Sequence, residues 1–212
     1  LYRFDVESSE WESIRPPTAG TDITALFVDR DGSVVIGTGG RSTSSIISQR
    51  GMFRSADNGD TWVEVNTRDS TITSYPGVSA IGSTSDGRLV AGFRVGGIGV
   101  QSGIFIQQDT GQWVGVTQSG EPAQMVVRGD VIYYVGLSGG SVFYVDLRQV
   151  PWTQKGLIGT ANRTTIRPWT GDTVAVFLDD ETDEQPPVVR LAVDSVVVDT
   201  IMLEHRPRTY VN

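Results

Sequence analysis

An aromatic residue followed at near-constant distance by tryptophan recurs four times in this chain of 212 residues: Tyr2 to Trp11, Phe53 to Trp62, Phe105 to Trp113, and Phe143 to Trp152. A repeat of this kind constrains the fold more than any single residue does. Each copy must be one supersecondary unit that buries its apolar face against the next.

A second matching piece precedes three of the pairs. It reads Ile23 to Val28, a turn at Asp31-Gly32, then Val34 to Gly37. The next copy is Val78 to Gly82, a turn at Asp86-Gly87, then Leu89 to Gly92. The third is Ala123 to Val127, a turn at Gly129-Asp130, then Val131 to Gly136. Asp-Gly between two apolar runs signals a β-hairpin. Each second strand runs on into a glycine pair: Gly39-Gly40, Gly96-Gly97 and Gly139-Gly140. Each unit therefore reads as four short strands, a to d. The Trp-to-Trp spacing of about 40 to 50 residues is that of a propeller blade, and no segment sustains the 3.6-residue period of a solenoid helix.

The expected fold is all-β: a single β-propeller domain over 1–212, built of four-stranded antiparallel blades. A partial blade occupies 1–20, with blades at 21–75, 76–120 and 121–160. A degenerate blade with a tail occupies 161–212, its strands at 164–169, 173–178, 188–193 and 196–203. About four and a half blades are visible where rings usually hold four to eight, so the chain is expected to be part of a larger ring.

The turn Ser55-Ala56-Asp57-Asn58-Gly59-Asp60-Thr61-Trp62 matches the pattern Ser-x-Asp-x-Gly-x-Thr-Trp. A degraded copy, Gln107 to Trp113, keeps Asp109, Gly111 and Trp113. In these residues the chain resembles the Asp-box (bacterial neuraminidase repeat) propellers, a family that includes sialidases, sortilin-type receptors and photosystem II assembly factors. The glycine pairs, and Phe4 to Trp11, are also similar to kelch repeats. The resemblance implies that Ser55, Asp57, Gly59, Thr61 and Trp62 are structural and lie opposite a ligand face. Chemistry assigns their parts. Asp57 accepts backbone N–H groups across the turn, Gly59 takes positive φ, and Trp62 fills space between sheets.

Catalytic constellations are weak. Arg41, Arg50, Arg94 and Arg163 could converge on a carboxylate as in sialidases, but no Phe-Arg-Ile-Pro motif accompanies them. Asp179, Asp180 and Asp183 fall in one acidic loop. Its plain reading is a solvated loop, with calcium binding as the alternative. Gly136 to Gly140 fits the letters of a nucleophile elbow, yet a strand follows where that motif needs a helix. His205 is the sole histidine. The expectation is a protein without catalytic residues or cofactor.

A formal net charge of −8, with Lys155 the only lysine, lacks the basic stripe of a nucleic-acid binder. No cysteine is present, so redox compartment cannot be read, and no apolar run is long enough to span a membrane. The b–c and d–a loops share one face of a propeller. Here they supply Arg41, Ile46, Ile47, Arg50, Arg68, Tyr75 and Arg94 as candidate binding residues. Ile46 and Ile47 would be contact residues if exposed, and packing residues if they tuck against a blade. The leading expectation is a protein-binding scaffold, an accessory or assembly subunit of a membrane complex. A glycan-binding or glycan-cleaving propeller and a sensor propeller of a larger signalling chain are the alternatives. The family resemblance implies a periplasmic, cell-surface or secreted location.

Overall fold

The computed structural model describes residues 1–18, 22–39, 51–67, 76–94, 102–117, 122–136, 141–158, 163–171, 173–179, 188–193 and 196–202. The chain divides into two compact units, Leu1–Glu121 and Pro122–Asn212.

The first unit opens with a hairpin of β1 (Tyr2–Asp5) and β2 (Glu10–Ser13), paired Tyr2 to Ser13 and Phe4 to Trp11. Two four-stranded antiparallel sheets follow. Sheet 1 runs β3 (Ile23–Val28), β4 (Val34–Thr38), β5 (Gly51–Ser55), β6 (Val63–Val65). Sheet 2 runs β7 (Gly77–Ser83), β8 (Leu89–Arg94), β9 (Gly103–Gln107), β10 (Trp113–Thr117). In both, strands pair antiparallel and in chain order. The a–b turns close where the Asp-Gly signals stand. Gly32 (φ 82°) donates to the Asp29 carbonyl at 3.0 Å, and Gly87 (φ 85°) to the Thr84 carbonyl at 3.1 Å.

The two sheets share one apolar core. Phe27, Val35, Met52 and Val65 of sheet 1 meet Val78, Ile81, Leu89, Phe93, Phe105 and Trp113 of sheet 2. Alternation along the strands sends Phe27 and Val35 to this face of sheet 1, and their neighbours Leu26 and Val34 to the other. The innermost strands approach closely enough for a parallel bridge between Gly39 and Val78. A bulge recurs at one place in strand a, between Ile23 and Ala25 in β3 and between Val78 and Ala80 in β7. The extra residue is hydroxylated each time. Thr24 Oγ1 lies 2.5 Å from the Val78 carbonyl, and Ser79 Oγ donates to the Gly92 carbonyl at 3.3 Å. A bulge leaves one residue outside the ladder, and these hydroxyls reach main-chain acceptors from it.

The second unit holds two further sheets. Sheet 3 runs β11 (Pro122–Arg128), β12 (Val131–Gly136), β13 (Val142–Asp146), β14 (Lys155–Ile158). Sheet 4 runs β15 (Arg163–Pro168), β16 (Val174–Asp179), β17 (Val188–Val193), β18 (Val196–Met202). The bulge recurs in β11 between Pro122 and Gln124. Tyr133, Val135 and Val142 pack with Ile166, Val174 and Val176, and the Ile166 N–H donates to Gln124 Oε1 at 3.0 Å. Among the described residues no helix is long and apolar enough to cross a membrane.

Candidate functional site

Of the loop-face residues singled out by sequence, Arg41, Ile46, Ile47, Arg50, Arg68 and Tyr75 lie outside the described residues, as do Asp180 and Asp183. Arg94 ends β8 and is half-buried, and Asp179 ends β16. Among the described residues no group of three or more His, Cys, Asp or Glu is placed to hold a metal ion.

The Ser55–Trp62 turn is described in full and joins β5 to β6. Ser55 Oγ donates to Asp57 Oδ1 at 2.7 Å and accepts the Gly59 N–H at 2.7 Å. The Thr61 hydroxyl donates to Asp57 Oδ2 at 2.5 Å, and the Thr61 N–H to Asp57 Oδ1 at 2.8 Å. One carboxylate thus gathers three donors, which favours its charged form. The Thr61 hydroxyl, then the Thr61 N–H, then Ser55 lower the Asp57 carboxyl to about 2. Gly59 takes φ 102°, as its place in the pattern requires, and Asn58 takes φ 56°.

The same device recurs at other turns in different residues. Asp5 accepts the Glu7 N–H at 2.9 Å and the Ser8 hydroxyl at 3.0 Å. Asp31 accepts the Ser33 hydroxyl at 2.6 Å and N–H at 2.9 Å. Asp86 accepts the Thr84 hydroxyl and the Arg88 guanidinium, and Asp146 accepts the Arg148 guanidinium and N–H. All four carboxyls are held below the usual range. The main cause is the Glu7 N–H for Asp5, the Ser33 hydroxyl for Asp31, the Thr84 hydroxyl for Asp86 and the Arg148 side chain for Asp146. A carboxylate held low is a poor proton donor near neutral pH, so these groups close turns.

Polar bonds also tie sheet 1 to sheet 2 at this end. Arg54 pairs with Asp31 at 2.6 Å and Asp29 at 3.2 Å. Asp29 accepts the Ser83 hydroxyl at 3.1 Å, and Arg30 donates to the Ser85 carbonyl at 3.0 Å.

The Ser55–Trp62 turn is also a seat for the opening hairpin. Arg3 donates to the Asn58 carbonyl at 3.2 Å and pairs with Asp60 at 3.1 Å, while Glu12 holds its other side at 2.7 Å. Ile14 packs on Gly59. Trp62 is half-buried on the side of sheet 1 that faces the opening hairpin, and its indole N–H has no partner among the described residues. The tryptophan that enters the core between sheets 1 and 2 is Trp113 of the degraded copy, whose indole N–H donates to the Asn66 carbonyl at 2.9 Å.

Between the hairpin and sheet 1 lies a groove of about 650 Å³, lined by Phe4 and Ile14 on one side and Leu26, Val28, Val34 and Trp62 on the other. Sequence reading marked the hairpin as half a blade but not the groove.

No family model matches the sequence, and no curated protein matches it. Solved structures do match. A Hadza microbial sialidase superposes with a TM-score of 0.58 at 17% identity, covering 97% of this chain and 52% of that one. YCF48 from Cyanidioschyzon merolae gives 0.59 at 12%, covering 93% and 61%. An auxiliary nutrient binding protein from Bacteroides ovatus gives 0.58 at 11%, covering 94% and 51%. The fold is that of a β-propeller. Sheets 1 to 4 are its four-stranded blades, each with its strands paired in the order a, b, c, d. This chain spans between half and two thirds of each of these three structures. They include an enzyme and a binding protein, and at such identity the likeness is one of fold, which does not fix function.

Proposed function

We propose that this chain is part of an Asp-box propeller that acts as a non-catalytic scaffold for binding another protein, as an accessory or assembly subunit of a membrane complex. The observation that carries the non-catalytic reading is the use made of the perturbed carboxylates. Asp5, Asp31, Asp57, Asp86 and Asp146 all have lowered pKa values, and each is bonded within its own turn. A glycosidase needs one carboxyl raised so that it can donate a proton. Rigid blades carrying loops of unequal length suit a binding platform instead. The Asp-box resemblance supports a periplasmic, cell-surface or secreted location.

The test is affinity purification of the full-length protein from its native membranes, with mass spectrometry of what accompanies it. A stoichiometric membrane complex is the expected result. Purification alone and monomeric, together with binding on a glycan array, would replace the scaffold reading by a carbohydrate-binding one.

A further inference from the structure

Within the sequence Asn58 is the asparagine that glycine follows, whereas Asn66 precedes Thr67 and Asn162 precedes Arg163. Asn58 is exposed, and among the described residues no hydrogen bond holds its side-chain amide. An amide so placed is open to attack by the next main-chain nitrogen, because glycine has no side chain to crowd the approach.

The folded turn restrains that nitrogen. Gly59 is buried, and its N–H donates to Ser55 Oγ at 2.7 Å. Ser55 is 1% exposed and is fixed in turn by donating to Asp57 Oδ1 at 2.7 Å. The Gly59 nitrogen attacks only after losing its proton, and that proton is the one Ser55 holds. The hydrogen bond must therefore open before the chemistry begins.

We propose that Asn58 is a deamidation site guarded by Ser55: the closed turn withholds the Gly59 nitrogen, and local opening releases it. Hydroxide takes the Gly59 amide proton, and the nitrogen attacks Cγ of Asn58. The bond from Cγ to the side-chain nitrogen breaks, and ammonia leaves with a proton from water, which regenerates the hydroxide. Water then opens the succinimide ring. Opening at Cγ gives aspartate. Opening at the main-chain carbonyl gives isoaspartate, whose main chain runs through Cβ and Cγ and is longer by an atom. Either product alters the turn. Aspartate adds a carboxylate between Asp57 and Asp60. Isoaspartate lengthens the span closed by the Ser55–Gly59 and Asp57–Thr61 hydrogen bonds. It also converts the Asn58 carbonyl, which Arg3 meets at 3.2 Å, into a carboxylate. A turn lengthened in this way does not close on the same bonds, so the modification records past opening.

The experiment uses the full chain at mildly alkaline pH, folded and in concentrated guanidinium chloride. Peptide mapping by mass spectrometry reads ammonia loss at Asn58, and enzymatic carboxyl methylation reads isoaspartate. The folded chain is expected to react at least about tenfold more slowly than the unfolded one, because the bonds of the turn must open together. Base-catalysed hydrogen exchange removes the same Gly59 proton, so the slowing should match the exchange protection of the Gly59 amide. Ser55→Ala should react about fivefold faster than the wild type, the weight of one hydrogen bond. Thr61→Val removes a hydroxyl from Asp57 but leaves Ser55 on the Gly59 N–H, and it should accelerate the reaction less. Equal rates in the folded and unfolded chain would overturn the proposal. So would faster reaction at Asn66 or Asn162 in the unfolded chain, or equal acceleration by the two variants. Should Ser55→Ala not fold, the wild type still decides: slowing that differs by orders of magnitude from the exchange protection of Gly59 would overturn it.

Discussion

A methyl group placed on Gly37 would lie 2.5 Å from Cγ1 of Val78 and 2.6 Å from its Cβ. Gly37 is on β4 of blade 1 and Val78 on β7 of blade 2. The missing side chain is what lets the inner strands converge until Gly39 bridges to Val78 and the Val78 carbonyl meets the Thr24 hydroxyl. Both contacts on Gly37 are to the base of a β-branched side chain, which cannot swing aside.

Gly37→Ala should therefore destabilise the protein by roughly 1–3 kcal/mol, the usual range for overpacking a fixed core. Val78→Ala alone should also cost stability, through a cavity. Combined, the two should cost less than their sum by about 0.5 kcal/mol or more, because the contact with Cγ1 is then gone while the contact with the retained Cβ at 2.6 Å persists. Urea unfolding of the four proteins measures the cycle, and strict additivity would show that the strands do not meet at these residues.

Trp11 and Trp113 occupy the same place in the repeat and should respond oppositely to truncation. Trp113 is 2% exposed, lies 4.8 Å from the Phe93 ring and donates to Asn66. Its replacement by alanine should cost about 3–5 kcal/mol. Trp11 is 70% exposed, and the same change there should stay within about 0.5 kcal/mol. Chemical denaturation with a far-ultraviolet readout compares them, and comparable losses would contradict the packing described for β10.

Much of this fold can be read in the chain because hairpin turns have local causes. Asp-Gly at 31–32 and 86–87 dictates positive φ and hence the a–b turns, whatever lies around them. Even blade 4, which lacks its tryptophan, is marked by β-branched runs. Strands read at 164–169, 173–178 and 196–203 are found at Arg163–Pro168, Val174–Asp179 and Val196–Met202. The bulges at Thr24 and Ser79 are not legible, because a single threonine or serine in a strand looks like any other alternation. Nor is the importance of Gly37, which rests on a valine far along the chain. The Ser55–Trp62 pattern predicts its own hydrogen bonds but not that the hairpin sits on it. That contact depends on Arg3 and Ile14, which belong to no motif. The groove brings together Phe4 and Ile14 of the hairpin with Leu26, Val28 and Val34 of sheet 1, residues far apart in the chain whose meeting no local pattern announces.

Gly59 combines two constraints that substitution can separate. It holds φ 102°, and a Cβ there would meet Ile14 Cδ1 at 2.9 Å. Gly59→Ala should destabilise by roughly 1–3 kcal/mol through backbone strain and the clash together. Ile14→Ala should relieve only the clash, since the strain is set by φ. Partial rescue in the double variant, measured by denaturant midpoints, is the expected outcome. Full rescue would mean that the turn is not strained by a side chain at this position.

Asp57 should make the protein sensitive to acid in a defined window. Its carboxyl is lowered from 3.8 to about 2 in the folded state, chiefly by the Thr61 hydroxyl and then by the Thr61 N–H and Ser55. The folded turn therefore binds its proton less readily than the unfolded chain does. The stabilisation is complete above pH 3.8 and is lost as pH falls through about 2. Asp57→Asn keeps the shape of the side chain but puts an NH₂ where one oxygen accepts from Thr61. Near neutral pH the variant should melt lower by about 2–4 °C. That deficit should narrow as pH falls from 4 to 2, because only the wild-type turn loses its charge there. Asp5, Asp31, Asp86 and Asp146 are lowered too and contribute in the same direction in both proteins, so the difference between the two isolates Asp57. Melting curves across this range decide it. A deficit that stays constant with pH would show that the carboxylate of Asp57 titrates alike in the folded and unfolded chain.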